Sequence, residues 1–250
     1  MPAIETTPLP LIEGERLTRE EFLRRWEALA NVKRAELIGG VVYLPSPTSV
    51  SHGASDNAAN WFLAHYAIHT PGCEALANAT WLMLEDAPQP DTVLRILREH
   101  GGQSRVEGKY AAGAPELVIE VSVTTKSSDF GAKLELYRQA RVIEYLSVLM
   151  SERRVIWRRL SGDAFVAIEP LVDHVLAGRQ LGGRLSGDAF VAIEPGPDGI
   201  LRSVVFPGLW LDPNALLDRR LPRVLEVLDQ GLKSPEHAAF VAELARRRVP

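Results

Sequence analysis

The sequence predicts a mixed α/β fold, built on a sheet that combines parallel and antiparallel strands. Three observations support this. Apolar runs of β type recur between residues 74 and 160, a helix-patterned segment at 129–140 falls among them, and further helical segments lie at both ends of the chain. In order, residues 1–16 form a leader whose first fourteen residues hold three prolines and look extended and loose. Thr18 is placed to cap a helix over 19–30, with Glu21 three positions on and Phe22, Leu23, Trp26 and Leu29 at helical spacing. Two short apolar runs at 35–44 flank Gly39-Gly40, the signal of a tight hairpin. A helix over 51–69 stops at Pro71-Gly72. Strands follow at 74–84, 92–97 and 116–121, then the helix at 129–140, and a hairpin of 142–150 with 153–160 turning at Ser151-Glu152. Asp212-Pro213 opens a helical C-terminal stretch, with a break near Ser234-Pro235. One domain over 17–216, with a helical extension at 217–250, is the expected organisation.

Composition narrows the function classes. At 250 residues, with 46% apolar and 24% charged side chains, the chain is an ordinary soluble type that buries a core without disulfide or metal staples. A formal charge of −4 excludes a protein that coats nucleic acid by bulk positive charge, so any polyanion must meet a local basic patch. Arg153, Arg154, Arg158 and Arg159 offer such a segment, or else simply the exposed face of a hairpin. Cys73 is the single cysteine, which removes a disulfide framework and a CxxC metal site and fits a reducing cytoplasm. There is no charged start followed by an apolar core, and no apolar run near the roughly 20 residues of a membrane span, so neither export nor a membrane is expected.

Residues 159–170 recur letter for letter as 184–195. A single pair is too few for a solenoid. The expectation is a recent duplication in which one copy takes the sheet position, while 171–183 and the other copy form a peripheral insert.

Alternation over 116–121 puts Glu116, Val118 and Glu120 on one face of a strand and Leu117, Ile119 and Val121 on the other. A strand covered on both faces is usually apolar throughout, and burying an ionised carboxylate costs several kcal/mol unless a cation or strong donors face it. Glu120 therefore needs a partner: an arginine or lysine, a wet sheet face, or a metal ion. Asp91, directly after Pro90, is a turn residue when taken alone. A second acid on a neighbouring strand would make the two a pair of hard oxygen ligands suited to Mg²⁺, with Mn²⁺ as a substitute. Lys133, four residues from both Asp129 and Tyr137, could orient a water or neutralise charge there, or could be a solvated helix lysine paired with Asp129. Glu36, at the head of the first hairpin, could reach the same place. The six histidines form no HExxH-type spacing, and His65 with His69 lack a third ligand. No GxGxxG or P-loop is present, and Ser122, Thr124 and Thr125 have no adjacent histidine for a serine hydrolase.

In combination and order, Glu36-Leu-Ile-Gly-Gly40, Gln89-Pro-Asp91, Pro115-Glu-Leu-Val-Ile-Glu120-Val-Ser122, Asp129, Lys133, Tyr137, Glu144-Tyr145 and Phe206-Pro-Gly-Leu-Trp-Leu-Asp212 resemble the Uma family of putative restriction endonucleases, in the PD-(D/E)XK nuclease superfamily. The likeness runs over about residues 17–216. It implies a restriction-endonuclease-like core and a Mg²⁺-dependent endonuclease acting on DNA, with Asp91 and Glu120 as metal ligands, Lys133 as the catalytic lysine and Glu36 as a supporting acid. Two departures stand out. Ser122 occupies the position where the superfamily's lysine usually stands, so its function must move to Lys133 or, more weakly, Lys126. Glu116 stands where the family often has Asp. A homodimer is a reasonable assembly for reading paired half-sites. The rival is a nuclease-fold module that binds nucleic acid or mediates assembly without efficient hydrolysis. A third possibility is a purely structural domain with Glu120 neutralised by arginine.

Overall fold

The computed structural model describes residues 9–32, 34–44, 49–123, 127–161 and 189–248. Helix α1 (Arg19–Glu27) starts where Thr18 Oγ1 accepts the Glu21 N–H at 3.2 Å. It buries Phe22 and Trp26 against Leu11, Leu37 and Val42. Strands β1 (Glu36–Ile38) and β2 (Val41–Tyr43) form the expected hairpin. Gly39 and Gly40 both have positive φ (60° and 71°), the conformation a two-residue turn demands and a side chain resists. The end of the leader is tied down rather than loose. Leu11 is buried, Gly14 donates to the Val42 carbonyl, and Arg16 bridges to Val41, so β2 gains a partner on its second edge.

Helix α2 (Val50–Ile68) is followed by β3 (Cys73–Ala77). The strand expected at 74–84 divides there. Asn78 takes a left-handed φ of 53°, which turns the chain out of the main sheet. Strand β4 (Trp81–Leu82) then joins a small sheet with β6 (Arg105–Glu107) and β7 (Tyr110–Ala112). These short pieces are two or three residues long and leave no periodic signature in sequence.

The main sheet is completed by β5 (Thr92–Ile96), β8 (Leu117–Ser122), β9 (Glu144–Leu149), β10 (Arg154–Ser161) and β11 (Ala189–Ala192), in the order β11-β10-β9-β8-β5-β3. Strands β8 and β9 are parallel and the other neighbours antiparallel. A parallel pair needs a crossover, which α3 (Ser127–Gln139) supplies. The mixed sheet is thus the one expected.

Every residue of β8 is buried, so the strand is covered on both faces. Leu117, Ile119 and Val121 face one core with Phe62, Leu63 and Tyr66 of α2. Val118 faces a second core with Leu136, Tyr137 and Tyr145. Short strands β12 (Leu201–Arg202) and β13 (Trp210–Leu211) pair with each other. Helix α4 (Pro213–Leu217) is capped by Asp212 as expected. It is followed by α5 (Leu221–Leu232) and α6 (Pro235–Arg247), separated at Ser234. Val224, Leu228 and Leu244 place these last helices on the α2 core. Gly231 of α5 packs so closely on the loop before β13 that a Cβ there would lie 2.1 Å from the Gly208 carbonyl oxygen.

Both copies of the repeat contribute described residues to the sheet, contrary to the single-copy expectation. Arg159 to Ser161 of the first copy end β10, and Ala189 to Ala192 of the second form β11 beside them, with Leu160 opposite Phe190. Different portions of the two copies are used, and these described portions pair as antiparallel strands at the edge of the sheet. The insert at 171–183 lies outside the described residues.

His237 of α6 is buried between Thr70 and the Leu232 carbonyl, and burial lowers its pKa below the ordinary histidine value. A depressed histidine stabilises the fold fully above that ordinary value, because below it the unfolded chain binds the proton first. Amide-exchange protection in α6 should therefore fall as pH drops through the ordinary histidine range. A His237→Gln protein should lack that dependence. Equal protection on both sides of the range in the wild type would contradict the assignment.

Among the described residues no helix is long and apolar enough to cross a membrane.

Candidate active site

Strands β5 and β8 set the geometry. Their antiparallel register pairs Thr92 with Ile119, and one further step places Asp91 opposite Glu120. Asp91 is fastened there, its Oδ2 accepting the Val121 N–H at 2.8 Å. Pro90 just before it has no N–H to give a ladder, which suits the first position outside a strand.

Helix α3 brings the cation. Lys133 Nζ lies 3.1 Å from both Oε1 and Oε2 of Glu120 and 2.9 Å from Glu36 Oε1. One turn on, the Tyr137 hydroxyl donates to Glu120 Oε1 at 2.6 Å. The Glu120 side chain is 6% exposed and that of Lys133 is 13% exposed, so this is a nearly dry ion pair. Glu36 reaches it from β1, where its Oε1 also accepts the Gln89 N–H at 2.7 Å. The hairpin is docked on the chain that leads to Asp91, since Asp86 accepts the N–H groups of Gly39 and Gly40 at 2.8 and 3.0 Å. Asp86→Ala would leave both turn donors without their acceptor. An expected loss of about 1–3 kcal/mol in urea unfolding follows, and an unchanged midpoint would show that this clamp is idle.

Burial pushes the Glu120 carboxyl up, with Asp91 and Glu36 adding to the rise, against the opposing pull of Lys133 and the Tyr137 hydrogen bond. For Lys133 burial works against the charge, but Glu120, Glu36 and Asp91 outweigh it and hold the ammonium above its ordinary value. Glu120 thus sits beside a cation that stays protonated, in a cluster where carboxylates outnumber that cation. Such a site is short of positive charge, and its hard oxygen donors fit a divalent ion.

The face of Asp91 toward α2 carries a further group. His52 Nε2 lies 3.1 Å from Asp56 Oδ2, and one donor atom from each of His52, Asp56 and Asp91 falls within 4.8 Å of the others. Asp56 Oδ1 is buried without a hydrogen-bond partner. Burial, then Asp91, pushes the Asp56 carboxyl up to about 6, with His52 and Arg34 opposing. The i, i+4 spacing from His52 to Asp56 is the local signal of this group in a sequence without an HExxH-type motif, and nothing local marks Tyr137 as a donor to Glu120.

Of the residues expected at the site, Glu36, Glu120 and Lys133 are in direct contact, and Asp91 stands opposite Glu120. Glu120 is neutralised by lysine rather than by the arginine of the purely structural alternative. Glu116 serves the sheet instead: its carboxylate accepts the Ile96 N–H at 2.7 Å and the Gln103 N–H at 3.0 Å. Ser122 is buried at the end of β8. Lys126 and the Asp129 side chain lie outside the described residues. The His65 and His69 rings lie 4.6 Å apart, centroid to centroid, tilted by 38°, and His65 pairs with Asp229. Arg158 donates to Ser147 Oγ at 3.0 Å, and Ser147 is the β9 partner of Glu120, so this arginine reaches toward the same sheet face.

A mixed sheet with a helix crossover between its parallel strands, and acids gathered where β5 begins and β8 ends, defines a mixed α/β fold with a candidate cation site at the ends of neighbouring strands. The sequence profile of the Uma2 family, described as putative restriction endonuclease, matches residues 19–214. The chain belongs to that family. Its structure is similar to that of a putative nuclease belonging to DUF820 from Anabaena variabilis, with a TM-score of 0.50 and 15% identity over 80% of this chain and 99% of that one. At that identity the likeness concerns the fold. No curated protein matches the chain.

Proposed function

We propose that this protein is an endonuclease that hydrolyses DNA phosphodiester bonds with a divalent cation, Mg²⁺ or Mn²⁺. The observation that carries the reading is the placement of Asp91 opposite Glu120 across β5 and β8, with the Lys133 ammonium against Glu120. Asp91 and Glu120 would hold the ion. When bound, such an ion acidifies a coordinated water and offsets charge on the attacked phosphate. Lys133 is held between two carboxylates, Glu120 and Glu36, which favour its charged form. Its role is to orient the nucleophile and to stabilise charge that develops on the phosphate oxygens. Glu36 keeps the ammonium in place from the second side, and Tyr137 fixes the Glu120 rotamer. A homodimer would let two such sites meet the two strands of a duplex.

The second reading, a nuclease-fold module that binds nucleic acid or mediates assembly with little or no turnover, draws on Ser122 standing where the superfamily usually has its lysine, and on the net charge of −4. Supercoiled plasmid incubated with the purified protein and Mg²⁺ or Mn²⁺ separates the two. Conversion to nicked or linear DNA, stopped by EDTA and by Asp91→Ala, is the expected result. Salt-sensitive DNA binding without any cleavage would favour the module.

A further inference from the structure

His52 and Asp56 sit one turn apart near the start of α2, a helix that supplies none of Glu36, Asp91, Glu120 and Lys133. In an octahedral shell with bonds of about 2.1 Å, neighbouring donors lie about 3 Å apart and opposite ones about 4.2 Å. The His52 to Asp56 separation of 3.1 Å already matches a neighbouring pair, and a donor atom of Asp91 lies within 4.8 Å of both. Only a small adjustment of side chains would let all three meet one ion. Asp56 has capacity to spare, because its Oδ1 is buried with no hydrogen-bond partner, which is costly unless something fills that position. Glu120, in contrast, has both oxygens engaged by Lys133 and one also by Tyr137.

We propose that α2 completes the ion seat: His52 and Asp56 join Asp91 as nitrogen and oxygen donors, making a centre that prefers a first-row transition ion, such as Mn²⁺, over Mg²⁺. This rests on the reading of Asp91 as an ion ligand. The physical reason for the preference is the imidazole. Mg²⁺ is held by carboxylates, carbonyls and water, whereas a ring nitrogen raises the affinity of first-row transition ions, least for Mn²⁺ and more for the later ones. Neutral His52 is required, since the coordinating nitrogen must give up its proton.

The test uses the full chain, freed of metal by EDTA and titrated with Mn²⁺ and with Mg²⁺ alone by calorimetry. The wild type should bind Mn²⁺ about tenfold or more tightly than Mg²⁺. His52→Ala should lose about tenfold or more in Mn²⁺ affinity and with it the preference, and Asp56→Asn should weaken binding too. Pulsed electron paramagnetic resonance of the Mn²⁺-loaded wild type should show coupling to an imidazole nitrogen that is absent in His52→Ala. This readout does not depend on any variant's stability. Wild-type binding that is lost in Asp91→Asn but unchanged in His52→Ala and Asp56→Asn, or a Mn²⁺ signal without nitrogen coupling, would overturn the proposal and leave the nuclease reading standing. A wild type that takes up neither ion would overturn both.

Discussion

Lys133→Met is expected to be the most damaging single change, lowering DNA cleavage by about 10²–10³-fold and destabilising the fold by about 3–5 kcal/mol. Removing the ammonium leaves Glu120 and Glu36, each within 3.1 Å of it, without their shared cation. Glu120 has the Tyr137 hydroxyl to fall back on, while Glu36 keeps the Gln89 N–H. The stability effect can be isolated in the double variant Lys133→Met with Glu120→Gln, which also gives up a proposed ion ligand. Glutamine removes the stranded charge, so most of the lost stability should return, and cleavage should not. Urea unfolding alongside plasmid cleavage reads both. If Lys133→Met unfolds at the wild-type midpoint, the pair is not the buried anchor described above. If the double variant regains cleavage, neither Lys133 nor Glu120 has a part in the reaction.

Glu144→Ala should be nearly as destructive to stability. It belongs to the Glu144-Tyr145 motif of the family resemblance, yet the structure gives it a different task from that of Glu120. Glu144 is fully buried in β9 and accepts four donors: the Trp157 indole at 3.0 Å, the Ser203 hydroxyl at 2.8 Å, and the N–H groups of Val204 and Val205 at 2.7 and 3.0 Å. It thus ties the loop after β12 to the sheet centre. Truncation would orphan these donors in the interior at about 1–3 kcal/mol for each one left dry, and a loss of about 3–5 kcal/mol after water and relaxation recover part is expected. Thermal unfolding in parallel with Trp157→Phe, which removes one donor only, should rank the alanine variant far lower. Equal midpoints for the two would mean that the loop finds other acceptors.

A good part of the site could be read from residue order. Glu120 stands out because a carboxylate in an otherwise apolar strand breaks the pattern of a covered sheet, and strand alternation puts it on the face opposite Leu117, Ile119 and Val121, as the two cores bear out. The caps at Thr18 and Asp212 and the Gly39-Gly40 hairpin were legible for similar reasons, since each depends on chemistry within a few residues. The loose leader and the single strand at 74–84 were misjudged. Leu11 is buried by contacts with residues distant in sequence, and the Asn78 turn depends on a backbone conformation that asparagine tolerates without announcing.

The sequence by itself determined which segments are helix or strand in the large elements, which strand carries a misplaced acid, and the family to which the chain belongs. Only the tertiary structure decided who meets that acid: Lys133 and Tyr137 from α3, Glu36 from a separate hairpin, and His52 with Asp56 gathered beside Asp91 from α2. The physical reason is range. Caps, turns and periodicity act over one to four residues, so they are written locally. Strand register and the docking of a helix on a sheet are set by burial summed over the whole core, and no local pattern specifies which distant side chains will share one small, dry volume.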